Sequence, residues 1–424
     1  MPLIALPSLY VRSQRSLPFS AYDAQGHLLL GPDLPLTEGL AQRLGDGQSI
    51  YADADEVAPW REVITHTLRQ LARKPRPGGM PAPVRLAGLS VPGADTVVDT
   101  GQGGPAVNAR GVLDRPASRF DAGSASDEGR AITGALAAAL RDSGRLDVDW
   151  LTACVIALAY VRELAHRAPE VALFLPMQHC AHHHSSYTAN HAFLCTVLVE
   201  RAARLLGWPD TEIDALTCAT VTMNVGMSQL QDQLAQQSDP LRPDQRRIVD
   251  EHPQVGARLL EQAGVTDPLW LDVVRLHHSD DLERRQHTEP AARLARLLQL
   301  VDRYTAKMSR RKGRVPMSSL AAARDTCLPR QGQPDALAAA LLKALGLYPP
   351  GSYVRLASGE IGVVVASGTR ADRPRVAVLV GASGSPLSDP ILRDTSQAGR
   401  EVAAPLGADD VRVRMPAERL LALV

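Results

Sequence analysis

The stretch YTANHAFLCTVLVERAARLLGWPD, residues 187–210, decides how the rest of this chain is read. His191, Leu194, Cys195, Leu198, Ala202 and Leu205 recur three or four residues apart, the spacing that lines up one face of an α-helix. Gly207 and Pro209 then end the run. The same spacing recurs on both sides. Upstream lie AITGALAAALRDSG, which closes on a glycine, and DWLTACVIALAYVRELAHRA. Downstream, DTEIDALTCATVTMNVGM carries Ile213, Leu216, Thr217, Thr220, Val221 and Asn224 at helical intervals. HPQVGARLLEQAG puts Pro253 at an expected helix start, where its missing N–H costs little, and DPLWLDVVRLHH has Asp267 as N-cap with Pro268 next. EPAARLARLLQLVDRYTAKMS reads as a long amphipathic helix. Hydrophobic residues make up 45% of the chain but aromatics only 4%. The core must therefore be Leu, Val and Ala, which suits helices.

Working outward, the helical pattern predicts an all-α domain over 129–348. Residues 1–75 read as a small α/β module, with PFSAYDAQGHLLL alternating around AQG like a hairpin and WREVITHTLRQLARK as a helix. Residues 76–128 are rich in Pro, Gly, Ala, Ser and Asp and read as a flexible linker. Beyond LGLYPPGSYV the period changes. YVRLASGEIGVVVAS and RPRVAVLVG alternate or run β-branched, which predicts a small β-rich module over 349–424.

The totals exclude several roles. The 424 residues carry 46 basic and 46 acidic side chains, so no overall field favours a nucleic-acid polymer or an anionic membrane. The longest apolar run, LTACVIALAYV, is too short to span a bilayer, and the first residues lack the basic-then-apolar order of a signal peptide. Five cysteines, none in a CxxC, read as reduced core thiols of a cytoplasmic protein.

Chemistry-bearing side chains are few. RLHHSDDLERR, residues 275–285, holds adjacent His277 and His278, which need further ligands to make a strong metal site. Asp302 lies at the border of an apolar stripe, where a carboxylate loses hydration unless paired or metal-bound. His191 opens the apolar face of its helix, and His252 precedes Pro253. QHCAHHHSS, residues 178–186, holds four histidines and reads as a solvated loop, with chelation as the alternative. SRRKGR, residues 309–314, is a basic patch. GQGGPAVNARG lacks the GK[ST] ending of a phosphate loop.

In order, His191, His252, His277–His278 and Asp302 resemble the metal ligands of the HD-GYP family, cyclic di-GMP phosphodiesterases within the HD-domain phosphohydrolases. YTANH is similar to the stretch around that family's first metal histidine, and DEHPQVGARLL to its HP..G..LL element. VRLHH resembles its histidine pair, and LQLVDRYTAKMSRRKGR its ADxYDAxxSxRxYR helix. YPPGSYVRLASGEIGVVV is similar to the β tail that follows such domains. The resemblance covers about 130–400 well and 1–60 loosely. It implies a mainly α, HD-domain-like helical bundle flanked by the small N-terminal mixed module and the small C-terminal β module. It also places Arg311 and Arg314 near the substrate.

The departures are specific. Where the family has its His-Asp dyad, this chain has Met223 and Asn224, and Met227 stands at the position of the family's lysine. Tyr187 replaces a glutamate one turn before His191, and SDDLERRQHTEP has no GYP loop. Asn224 offers a neutral carbonyl where the family has a bridging carboxylate. Met223 offers a soft thioether, a poor ligand for Fe, Mn or Zn beside oxygen donors. One metal position keeps His191 and Asp302, with Asn224 between the positions; the other keeps His252, His277 and His278. The resemblance therefore implies at most one divalent metal (Zn, Fe or Mn), with none as the alternative, and no confident catalytic residue among the degenerate positions Met223, Asn224 and Met227. The expected function is a catalytically impaired bacterial homologue that acts in cyclic di-GMP signalling by binding a signalling protein partner or the nucleotide. The alternatives are an active phosphodiesterase with an altered ligand set and a helical scaffold with no ligand.

Overall fold

A computed structural model of the chain describes residues 3–6, 19–32, 34, 50–53, 122–145, 149–328 and 334–424. Near the N-terminus, β1 (Leu3–Leu6), β2 (Ala21–Tyr22), β3 (Leu28–Leu30) and β4 (Ile50–Asp53) make an antiparallel sheet in the order β1-β4-β2-β3. The expected hairpin is its β2–β3 unit. Asp23 Oδ1 accepts the N–H groups of Gln25 and His27, and Gly26 takes φ +83°, a conformation that glycine adopts freely. The helix expected over 60–74 lies outside the described residues.

Thirteen helices follow among the described residues: α1 (Ala122–Arg141), α2 (Trp150–Arg167), α3 (Pro169–His182), α4 (Tyr187–Leu205), α5 (Asp210–Thr222), α6 (Ser228–Ala235), α7 (Pro243–Gln262), α8 (Pro268–Leu276), α9 (Leu282–Arg285), α10 (Pro290–Met308), α11 (Ser319–Cys327), α12 (Ala336–Leu345) and α13 (Ala417–Leu421). The architecture is the mainly α, HD-domain-like bundle with flanking β modules that the resemblance implies. Helix α1 starts at Ala122, inside the segment read as linker, so small residues alone did not mark disorder there.

The deciding stretch folds as a helix, but not as a one-faced one. Helix α4 is buried all round from Tyr187 to Glu200, because α1, α2, α3, α5, α6, α10 and α12 all pack on it. Leu205, expected on the apolar face, is 46% exposed where α4 runs out of neighbours. The other correction concerns Pro253. It lies inside α7, which begins ten residues earlier at Pro243.

The C-terminal strands β5 (Tyr353–Leu356), β6 (Ile361–Ala366), β7 (Arg375–Val380), β8 (Pro386–Asp394) and β9 (Val402–Leu406) form an antiparallel sheet ordered β8-β7-β6-β5-β9. Alternation gives it two apolar faces. Val363, Val365, Ala377 and Leu379 join the core of the helical bundle, while Val354, Leu356, Val364, Val376 and Val378 pack on the opposite side. All five cysteines are free and buried. Among the described residues no helix is long and apolar enough to cross a membrane.

Candidate metal centre

Helices α7, α8 and α10 and the central α4 carry the histidines and the aspartate. His252 sits in α7 directly before Pro253. A proline at that position has no N–H, so the carbonyl four residues back, that of Val249, lacks its helical partner. His252 Nδ1 takes it, at 2.5 Å. His277 caps the C-terminus of α8, where carbonyls are also left over. Its Nδ1 lies 2.6 Å from the Val274 oxygen. A carbonyl oxygen only accepts, so both Nδ1 atoms carry the proton and both Nε2 atoms keep a lone pair.

Those two lone pairs face each other. His252 Nε2 and His277 Nε2 are 3.1 Å apart, and both side chains are fully buried. Burial pushes the pKa of His252 down to about 4, despite the Val249 hydrogen bond, and holds His277 well below the ordinary histidine range. Neither imidazole is charged at neutral pH, so no proton bridges the gap. Exposed His278 adds a third nitrogen, and one ligand atom from each of the three histidines lies within 4.8 Å of the others. This donor set fits a cation. Two nitrogens 3.1 Å apart, each about 2.1 Å from an ion, subtend an angle of about 95° there. The carbonyl contacts to Nδ1 are the outer interactions that orient metal-binding imidazoles.

His191 and Asp302 form a different kind of unit. His191, 1% exposed, lies 2.8 Å through Nε2 from Asp302 Oδ1. Burial alone would raise the Asp302 pKa. The hydrogen bond to His191 outweighs it and holds the carboxyl well below its usual range. His191 Nδ1 is buried without a hydrogen-bond partner. The chain enters α4 through Ser186 at φ +50°, an uncommon value for a residue with a side chain. Asp232 fixes that entry by accepting the N–H and hydroxyl of Thr188. Tyr187 is thereby set one turn before His191, with the two rings stacked at 5.6 Å.

The remaining expected positions are placed as follows. Met223 is 1% exposed and belongs to the hydrophobic core. Asn224 is buried in the turn after α5, and half-buried Met227 opens α6. That turn presses on α7: a Cβ at Gly226 would lie 2.5 Å from the His252 carbonyl oxygen. Arg311 binds Tyr187, and Arg314 binds the Ala306 carbonyl. The QHCAHHHSS histidines are not all in a loop. His179 and His182 end α3, and His182 Nε2 meets Tyr353 Oη at 2.8 Å. The carbonyls of Val249 and Val274 and the Tyr187–Arg311 contact were missed in the sequence. The His-Pro dipeptide was the available signal for the first.

The site thus defines a class: a helical bundle holding a histidine cluster, two members buried and one exposed, able to coordinate a metal ion. No family model matches the chain. It is 29% identical over 221 residues to the Cyclic di-GMP phosphodiesterase PA4108 of Pseudomonas aeruginosa, a match covering 50% of this chain and 53% of that protein. The match therefore spans about half the length of that curated relative. A similar solved structure is Bd1817, a HDG"Y"P protein from Bdellovibrio bacteriovorus, with TM-score 0.40, 13% identity, and coverage of 81% of this chain and 99% of that one. Over part of its length the chain is homologous to a cyclic di-GMP phosphodiesterase.

Proposed function

We propose that this chain is an HD-GYP-type homologue with a reduced metal centre, acting in bacterial cytoplasmic cyclic di-GMP signalling by binding a protein partner or the nucleotide rather than by cleaving it. The observation that carries the reading is the mismatch between the two donor sets. Three imidazole nitrogens converge around one point, while the dyad position holds a core methionine. His252, His277 and His278 would hold one divalent ion, and Asn224, His191 and Asp302 would flank it. Such an ion polarises a phosphoryl oxygen and lowers the pKa of bound water. The chain's own contribution is to hold two Nε2 lone pairs inward through the Val249 and Val274 carbonyls, and to keep His252 and His277 neutral by burial. Nothing in this set supplies the second anionic bridge that paired cations need.

A second reading, slow single-metal hydrolysis, is favoured by one observation. Asp302 interacts electrostatically with His277 and His278, so a carboxylate stands near the histidine cluster. Assay of cyclic di-GMP and its linear product with Mn or Fe separates the readings. Turnover comparable to an intact phosphodiesterase of this type overturns the first. Calorimetric titration with cyclic di-GMP then distinguishes a nucleotide receptor from a scaffold without ligand.

A further inference from the structure

Arg311 and Arg314 sit on either side of a tight loop after α10, their backbones joined by an isolated β-bridge. The loop is anchored at both ends: Arg310 N–H donates to the Cys180 carbonyl at 2.7 Å, and Lys312 N–H to the Ala235 carbonyl at 2.9 Å. Two guanidinium groups are therefore held near each other. Partial burial and the charge of Arg311 both lower the pKa of Arg314. Among the described residues neither arginine is ion-paired with a carboxylate. Their neighbour Arg310 does have one, Asp409. Two adjacent cations with only neutral partners leave a charge that an anion would neutralise.

The neutral partner of Arg311 is Tyr187. The hydroxyl accepts from Arg311 Nη2 at 2.8 Å and Nε at 3.3 Å, and the guanidinium carbon lies 4.9 Å from the ring centre. Those two N–H groups form the edge with which a guanidinium grips two oxygens of a phosphate. Tyr187 is 3% exposed and stacked on His191, so it is no mobile surface residue that happens to touch an arginine.

We infer that Tyr187 is a built-in competitor for the phosphate-binding edge of Arg311, so that a phosphate-bearing ligand must displace its hydroxyl before Arg311 can engage. The inference rests on the reading that Arg311 and Arg314 face such a ligand. It adds that this chain sets its own threshold for binding, through a residue found one turn before His191. A phosphate diester of a dinucleotide and free inorganic phosphate groups share this chemistry.

The test uses the full chain with its metal content measured, and titrates inorganic pyrophosphate and cyclic di-GMP separately. Tyr187→Phe removes the hydroxyl and keeps the ring; Tyr187→Leu serves if the phenylalanine variant melts early. The expected result is pyrophosphate binding about tenfold tighter than in the unaltered chain, the scale of one released charge-assisted hydrogen bond. Adding Arg311→Gln to that variant should remove the gain, a coupling read from the double-mutant cycle. Equal binding with and without the hydroxyl, a gain that survives Arg311→Gln, or no binding of either probe to any variant overturns the inference. A pyrophosphate gain without any cyclic di-GMP binding supports the competitor and counts against the nucleotide reading.

Discussion

The two halves of the centre satisfy their polar atoms in opposite ways. His252 and His277 are braced from outside by backbone carbonyls, and their inner nitrogens are left facing one another, with His278 beside them. His191, Asp302, Tyr187 and Arg311 bind each other directly. In the first half neutral imidazoles cannot hydrogen-bond lone pair to lone pair, which leaves a donor set able to hold a cation. The second half has already paired its carboxylate with an imidazole and its guanidinium with a phenol. On the proposed reading, one metal position is closed by internal pairing while the other stays open.

The comparison breaks most visibly if the histidine half is dismantled. His277→Ala removes an inward nitrogen at a fully buried position. Loss of an outer-sphere partner alone costs about 10–100-fold in metal affinity, so loss of a ligand should cost at least about a hundredfold. Elemental analysis after dialysis should show metal in the unaltered chain and almost none in the variant. Equal contents would place the ion elsewhere.

Pro253→Ala probes the brace rather than the ligand. It returns an N–H at a position where the helix would direct it to the Val249 carbonyl, which now serves His252 Nδ1. The carbonyl has two lone pairs and can serve both donors, so the loss sits at the lower end, about tenfold in metal affinity. Metal-free stability should rise instead, by up to about 3 kcal/mol, as an interior proline leaves the helix. Titration with Zn and a melt of the stripped protein check the two opposite signs.

The halves should also separate by pH. His252 and His277 have folded pKa values below the unfolded value near 6.5, so the unfolded chain binds their protons first. Stability of the metal-free protein should fall as pH drops from about 6.5 towards 4, and bound metal should leave over the same window. The Asp302 carboxyl is held below its unfolded value near 3.8, so its contribution is fully present above that pH and is lost only under stronger acid. Asp302→Asn should flatten the stability curve below about pH 4 and leave the higher step in place. A single step shared by the unaltered chain and the Asp302→Asn variant would show that the halves titrate as one unit.

Much of this arrangement was legible in the chain. Apolar residues at helical spacing announced α4, α5 and α10, and a switch to β-branched alternation announced the C-terminal sheet. Local pattern could not show that α4 would be enclosed on every side, because burial depends on how many helices arrive, and periodicity records only the strongest face. It also placed Pro253 at a helix start. The preference for proline in the first turn was met here by Pro243, and the interior proline is tolerated because its unpaired carbonyl found His252. His191 and Asp302, 111 residues apart, come together at 2.8 Å, yet nothing local revealed that they would pair with each other rather than wait for an ion. Tyr187 read only as a lost glutamate; its grip on Arg311 depends on a loop more than a hundred residues away.

The smallest expected effect sharpens the comparison from the other side. If Met223 contributes packing and no metal ligation, Met223→Leu exchanges one flexible apolar side chain for another of similar volume in a site only 1% exposed. Volume-conserving swaps of this kind usually cost less than about 1.5 kcal/mol. Leucine has no sulfur, so any thioether bond to a metal would vanish with it, and metal content would fall. Retained metal with a melt shifted by a few degrees at most is the expected outcome. The core around Met223 also predicts why a return to histidine is costly. An imidazole there would need a hydrogen-bond partner in the metal-free protein, at a position that belongs to the hydrophobic core. A drop in metal content on Met223→Leu would instead make the thioether a ligand and join the two halves into one centre.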